Sequence, residues 1–217
     1  MSENSRIKHQ FEDSIQEWST PKRIQVYDYL KDKNITTYID IGANTGGSIL
    51  AIYEHLKPTC ILGFEPDVDN YEYLLNTTYG IPNKYIYNNG IYYGLKSSKV
   101  YGTGDQSAGG YMITMDDQYK PVAYLEYDGK VFTLNTLEDI ITANHPEIVN
   151  KIDLIKIDVE GSEYNIIEHS TLLKESRYLF IEFHVSPQEY CHQFIQHHLS
   201  NYEIVIENFH EFLLKRK

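Results

Sequence analysis

The sequence predicts a doubly wound α/β domain. Its sheet is mostly parallel and seven-stranded, ends in an antiparallel hairpin, and is preceded by an N-terminal helical extension. Three observations carry this expectation. From residue 37 onward, short apolar runs alternate with helical patterns, the mark of βα units and so of a parallel sheet covered on both faces. The last two strand-like runs, Tyr202 to Glu207 and Glu211 to Leu214, are joined by a short turn and should pair as a hairpin, an antiparallel edge that such sheets tolerate. Before residue 36 the apolar residues recur only at helical spacing, which assigns 1–35 to the extension and 36–217 to the α/β domain.

Taken in order, Ile7, Phe11, Ile15 and Trp18 fall on one face, so about the first twenty residues form an amphipathic helix. Ser19, Thr20 and Pro21 cap and open a second helix to about Lys31. Tyr38 to Ile41 is a buried strand, followed by a Gly-rich loop and a helix from Ser48 to about Lys57. Cys60 to Phe64, a helix from Asp67 to about Thr77, and Lys84 to Tyr87 continue the alternation. Residues 91–134 are less regular, with short β-like pieces such as Tyr111-Met112-Ile113-Thr114 between glycines. A helix near Leu137 to Thr142, a strand from Asp153 to Ile157 and a helix from Glu163 to His169 follow. A strand from Tyr178 to Phe183 and a helix from Pro187 to about Leu199 lead into the hairpin.

At 217 residues the chain should hold one domain with an appendage. Apolar residues make up 41% and charged residues 23%, a globular rather than a disordered balance. The formal charge of −12 repels phosphate backbones and anionic membranes, so neither nucleic acid nor a membrane surface is expected as a partner. Lys215-Arg216-Lys217, the one tight basic cluster, reads as a solvated tail. Cys60 and Cys191 make neither a disulfide framework nor a zinc spacing. No signal-peptide core follows Met1, and no apolar stretch nears the ~20 residues of a membrane span, so the expected location is the cytoplasm. The 20 tyrosines read as compositional bias rather than as sugar-stacking surfaces.

The strongest local signal is Asp40-Ile41-Gly42-Ala43-Asn44-Thr45-Gly46-Gly47, set between a strand and a helix. Gly42 and Gly46 let the backbone turn tightly and leave room for a ligand. The dinucleotide fingerprint needs glycine where Asn44 stands, and the Lys-Ser/Thr ending of a P-loop is missing. Asp40 at the strand end would repel a pyrophosphate and suits a ligand with a cationic amine. Glu65 lies 23 positions after Gly42, at the end of the second strand. An acid there commonly accepts hydrogen bonds from ribose hydroxyls; Asp67 fits a helix cap better. A phosphate-free adenosine carrying a cationic amino-acid tail satisfies both sites, and S-adenosylmethionine is such a molecule.

In the C-terminal half, Lys156-Ile157-Asp158-Val159-Glu160-Gly161-Ser162-Glu163 places acids where a strand ends and a helix begins. Ile181-Glu182-Phe183-His184 places another acid and a histidine at the end of the next strand. Both strand ends should face the donor. Charges there are costly to bury unless paired or bound to metal, and a stabilising pair of Glu182 with His184 is the bland alternative. His192, His197 and His198 read as surface residues of an amphipathic helix.

Five segments together resemble the FkbM family of methyltransferases across residues 36–185: Tyr38 to Gly46, Gly63 to Pro66, Thr136 to Asp139, Ile155 to Glu163 and Phe180 to His184. The resemblance implies a Rossmann-like class I methyltransferase fold, S-adenosylmethionine as donor and a hydroxyl oxygen as acceptor, often on a sugar of a glycan. By the same resemblance Asp40, Gly42, Ala43, Asn44 and Gly46 line the donor, Glu65 holds its ribose, and Asn89 sits where adenine is contacted. The family's Thr-Leu-Asp stretch departs here to Glu138 followed by Asp139. Residues 90–111 match no pattern and are assigned to acceptor recognition. A carbohydrate such as the deoxyhexose rhamnose, companion glycosyltransferases and a second copy of the chain are the expected acceptor and protein partners.

A sugar hydroxyl is a poor nucleophile, so the site must help remove its proton. A divalent ion, Mg²⁺ or Mn²⁺, held by Asp158, Glu182 and His184 would depress the hydroxyl's pKa. A His184, Asp158 or Glu160 base would remove the proton as attack proceeds. Two rivals remain. Tyr27 to Lys31 and Tyr53 to Lys57 match the Tyr-x-x-x-Lys spacing of nicotinamide dehydrogenases but stand at the wrong place in the order. A non-catalytic donor-binding domain would not need Asp158, Glu182 and His184 beside the loop.

Overall fold

A computed structural model describes residues 3–94, 97–103, 111–113, 124–125, 131–184 and 186–217. Two helices come first, α1 (Glu3–Trp18) and α2 (Pro21–Leu30). The main sheet then builds from β1 (Thr37–Ile41), α3 (Gly47–Leu56), β2 (Cys60–Phe64), α4 (Val68–Thr77) and β3 (Lys84–Tyr87). After an insertion, α5 (Leu137–Asn144), β9 (Leu154–Ile157), α6 (Glu163–His169), α7 (Thr171–Glu175) and β10 (Tyr178–Glu182) continue it. The chain ends with α8 (Gln188–His198), β11 (Tyr202–Asn208) and β12 (Glu211–Arg216).

The main sheet has the seven strands that the sequence predicts, and they run in the order β11-β12-β10-β9-β1-β2-β3. The β10-β9-β1-β2-β3 block is parallel and β12 is antiparallel to both β10 and β11. β1 pairs with β9 on one side and β2 on the other, which opens a crevice at the carboxyl ends of the central strands. All five β1 residues are buried, as expected of a strand covered on both faces. Successive residues feed opposite cores. Ile39, Ile155 and Leu179 pack toward α5, α6 and α8; Tyr38, Leu154, Tyr178 and Phe180 pack toward α2 and α3.

The extension closes the second core. Trp18, Val26 and Leu30 are all buried there. Arg23 is 1% exposed, with its guanidinium 4.1 Å over Trp18 and 4.9 Å over Phe180. Its Nη2 lies 2.8 Å from Glu17 and Glu182 and 3.1 Å from Glu211. One buried cation thus ties both extension helices to the last strands of the sheet.

The insertion, read as irregular, holds a second sheet. β4 (Gly90–Ile91), β5 (Ser97–Thr103), β6 (Tyr111–Ile113), β7 (Tyr124–Leu125) and β8 (Val131–Asn135) form it, in the order β4-β8-β5-β6 with β7 on β5. Its pairings join distant positions, Gly90 with Leu134 for example, so local pattern could not disclose them. Thr114, and residues 95–96 and 104–110 of the segment assigned to acceptor recognition, lie outside the described residues. Among the described residues no helix is long and apolar enough to cross a membrane.

Candidate active site

β1 ends at Ile41 and the chain turns through Gly42 at φ +83°. A Cβ on Gly42 would stand 1.9 Å from the carbonyl oxygen of Asp158, so only glycine lets this loop lie against the end of β9. The Gly42 and Ala43 amides donate to Phe64 O at 3.0 and 2.9 Å. Glu65 then fixes both sides of the turn, accepting from Asn44 N at 2.8 Å and Asp67 N at 2.9 Å. Asp67 caps α4, as its position suggested. Glu65 is 6% exposed. Burial and the nearby Asp67 charge push its carboxyl up to about 7 against the pull of those two amides.

Above this loop lies a cavity of about 440 Å³. Gly42, Ala43, Asn44 and Glu65 form one wall, Asn89, Ile91 and Phe132 a second, and Asp158, Glu160, Glu182 and His184 a third. The fourth comes from α1, through Asp13, Ser14, Glu17 and Trp18. Two expected donor contacts are not among the lining residues. Gly46 sits behind the loop as the N-cap of α3 at φ +99°. Asp40 is fully buried, accepting from Tyr38 Oη at 2.8 Å and Ser48 Oγ at 2.5 Å, with the Lys156 ammonium 3.1 Å away. Its carboxylate faces Lys156, and Ser48 lines the cavity instead.

Lys156 is the hub of the acidic wall. Its Nζ donates to Gly42 O at 2.6 Å and lies 3.3 Å from Asp158 Oδ2 as well as near Asp40. Burial penalises the ammonium, but the two carboxylates outweigh it and hold its pKa above the ordinary value. Burial likewise acts against the Asp158 carboxylate, yet Lys156 and His184 leave it below the usual range. Glu160 stands at φ +54°, turning its side chain back over the site. Burial, partly offset by His184, raises its pKa. His184 Nδ1 donates to Glu163 Oε1 at 2.8 Å, and Nε2 lies 3.7 Å from Asp158 and 3.6 Å from Glu160. Burial disfavours the imidazolium, but Glu163, Asp158 and Glu160 push the His184 pKa up to about 10.

Donor atoms of Asp158, Glu160 and His184 all lie within 4.8 Å of one another. The expected metal set had Glu182 in place of Glu160. The structure departs from it because Arg23 holds Glu182 at 2.8 Å, and Glu182 Oε1 comes only to 3.9 Å from His184. Burial and the Asp158 charge push Glu182 up to about 7 despite Arg23. Two oxygen donors, and an imidazole whose far nitrogen a buried carboxylate orients, form a set that fits a hard divalent cation. The cavity also fits a polar ligand, since Asn44 Oδ1, Asn70 Oδ1 and Ser162 Oγ line it buried and unpartnered.

Sequence reasoning missed Lys156, Glu163 and the α1 residues. Lys156 stood inside an apolar run, where a cation must have buried acids for company, and that signal was readable beside Asp40 and Asp158. Glu163 was taken for a helix start, yet its Oε1 gathers Val159 N, Gly161 N and His184. Tyr27 and Tyr53, the dehydrogenase-like tyrosines, do not line the cavity.

The profile described as the methyltransferase FkbM domain matches residues 40–213. No curated protein matches the chain. Among solved structures, Sp1610 of Streptococcus pneumoniae in complex with S-adenosyl-L-methionine gives a TM-score of 0.52 at 10% identity, over 90% of this chain and 72% of that one. An rRNA methylase from Streptococcus thermophilus gives 0.50 at 9% identity, over 91% and 98%. M. capricolum TrmK with S-adenosyl-homocysteine gives 0.49 at 14% identity over 90% of this chain, which spans 66% of its length. For the first two, at these identities, the likeness shows a shared Rossmann-like fold and nothing finer.

Proposed function

Because the chain belongs to the methyltransferase FkbM domain family, we propose that its cavity holds S-adenosylmethionine and directs the methyl group to a sugar hydroxyl. A divalent cation at Asp158, Glu160 and His184 would assist. The observation that carries the reading is the placement of those three donor groups, within 4.8 Å of one another, in the cavity that the Gly42–Asn44 loop also lines. The donor supplies a methyl group already activated on a sulfonium, so the chain's task is alignment and deprotonation.

Glu65 accepts one backbone hydrogen bond on each oxygen, and each retains a lone pair for a ribose hydroxyl. Asn89 and Ile91 flank the far wall, where the base would lie. Asp158, Glu160 and His184 would hold Mg²⁺ or Mn²⁺, which depresses the pKa of a bound hydroxyl. The formal charge of −12 supports a neutral acceptor over a nucleic acid. A hydroxyl-rich sugar, a deoxyhexose included, suits the mixed carboxylate and amide lining.

A metal-free reading is favoured by one contact, the Glu163–His184 pair at 2.8 Å, which resembles a carboxylate-oriented general base. With a pKa near 10 the imidazole holds its proton at neutral pH and must lose it before serving. Methyl transfer from labelled S-adenosylmethionine to a panel of free and nucleotide-linked sugars tests both. Turnover abolished by EDTA and restored by Mn²⁺ supports the cation; turnover indifferent to EDTA leaves the base. Labelling of no sugar, with the donor still bound, would overturn the acceptor assignment.

A further inference from the structure

We propose that α1 belongs to the donor site, and that the Glu17 carboxylate receives the ammonium of the donor's amino-acid tail. The assignment rests on the reading that this cavity takes S-adenosylmethionine. The family match begins at residue 40, yet Asp13, Ser14, Glu17 and Trp18 of α1 line the cavity. The helix is seated there rather than merely near. A Cβ on Gly47 would fall 2.2 Å from Ser14 Oγ, so a glycine at the start of α3 is what lets α1 approach. Trp18, 4% exposed, lines the cavity with the Arg23 guanidinium 4.1 Å over its ring.

A zwitterionic tail needs a carboxylate to meet its ammonium, and the obvious one is occupied. Asp40 carries Lys156, Tyr38 and Ser48. Asp158 also faces Lys156, and Glu182 has Arg23 on Oε2 and His184 3.9 Å from Oε1. Glu17 differs. Arg23 bonds to its Oε1 at 2.8 Å, and among the described residues Oε2 has no hydrogen-bond donor. Burial and the Asp158 charge raise its pKa against the pull of Arg23 and Lys156. Asn70 on α4 supplies an independent sign that the cavity lacks a donor group. It is 3% exposed, lines the same cavity, and its Oδ1 lacks a partner. An ammonium brings three N–H donors.

The test compares two ligands that share the nucleoside thioether and differ in the tail. S-Adenosylhomocysteine carries the amino acid and 5′-methylthioadenosine does not. By calorimetry the wild-type chain should bind S-adenosylhomocysteine the more tightly. Glu17→Gln should weaken that ligand roughly tenfold, the worth of one charge-assisted hydrogen bond, and leave 5′-methylthioadenosine unchanged. The second ligand also shows that the variant is folded. An unchanged S-adenosylhomocysteine affinity, or an equal loss for both ligands, overturns the assignment of Glu17. A wild-type chain that binds neither overturns the donor reading itself, and this assignment with it.

Discussion

The two halves of the sheet's carboxyl edge are built on different principles. After β1 and β2 the site is made of backbone: Gly42 lies against Asp158 O, and the one carboxylate, Glu65, is held by two amides. After β9 and β10 it is made of charge: Lys156 between Asp40 and Asp158, and His184 among Glu163, Asp158 and Glu160. The first half is sensitive to shape, because a single methyl group has nowhere to go. The second is sensitive to charge, because each buried ion is neutralised by its neighbours. Substitutions that alter one property and spare the other should therefore act on one half only.

The largest effect should come from removing the hub of the charged half. Lys156→Met keeps much of the side chain's bulk and leaves fully buried Asp40 without its cation. Breaking a buried pair in this way costs about 3–5 kcal/mol, to be read as a lowered midpoint in urea unfolding. Adding Asp40→Asn should recover part of that loss, since an uncharged pair has nothing left to neutralise. A single variant within about 1 kcal/mol of wild type would break the charge-balance account of this half.

In the backbone half the corresponding change is Gly42→Ala. At φ +83° and with 1.9 Å to Asp158 O, the loop must move to admit the methyl group. S-Adenosylhomocysteine affinity should fall by roughly 100-fold, close to 2.7 kcal/mol, while the unfolding free energy drops by about 1–3 kcal/mol. If Gly42→Ala bound the ligand normally, the loop would not be a donor surface. Asp158→Asn is the complementary probe. Shape is kept, so ligand affinity should change little, whereas methyl transfer should fall by roughly 10²-fold or more, a loss in kcat rather than KM.

How far the sequence disclosed this division depends on how local each feature is. The strands were legible because each is an apolar run buried on both faces, Thr37 to Ile41 being the clearest. Gly42, Asn44 and Glu65 were legible because strand end, loop and next strand end follow at fixed intervals. Asp40 was legible as a strand-end acid but its partner Lys156 was not, since that lysine lies 114 positions beyond Gly42, whose carbonyl the same ammonium binds. That Glu160 rather than Glu182 stands with Asp158 and His184 was hidden for a similar reason. The left-handed turn at Glu160 and the reach of Arg23 from α2 are tertiary facts with no local trace. The second sheet stayed hidden because β4 finds β8 across the whole insertion.

The smallest effect, and the one that most sharpens the contrast, is the share of the pH dependence that Glu65 contributes from the backbone half. Burial of Glu65, with the Asp67 charge, raises its folded pKa from 4.5 to about 7, and Lys156 offsets only a little of this. Between those values the folded chain holds a proton that the unfolded chain has released. Stability therefore falls as pH rises from about 4.5 to 7. Glu65→Gln should remove that share of the fall, while the share from Glu182, also raised to about 7, remains. Ligand affinity should run the opposite way. A ribose hydroxyl needs the ionised carboxylate, so S-adenosylhomocysteine should bind up to roughly tenfold more weakly for each pH unit below 7. Asp158, held below the usual carboxylate range by Lys156 and His184, adds no such dependence there. A Glu65→Gln variant with the wild-type slope would move the titrating group into the charged half and erase the distinction between the two.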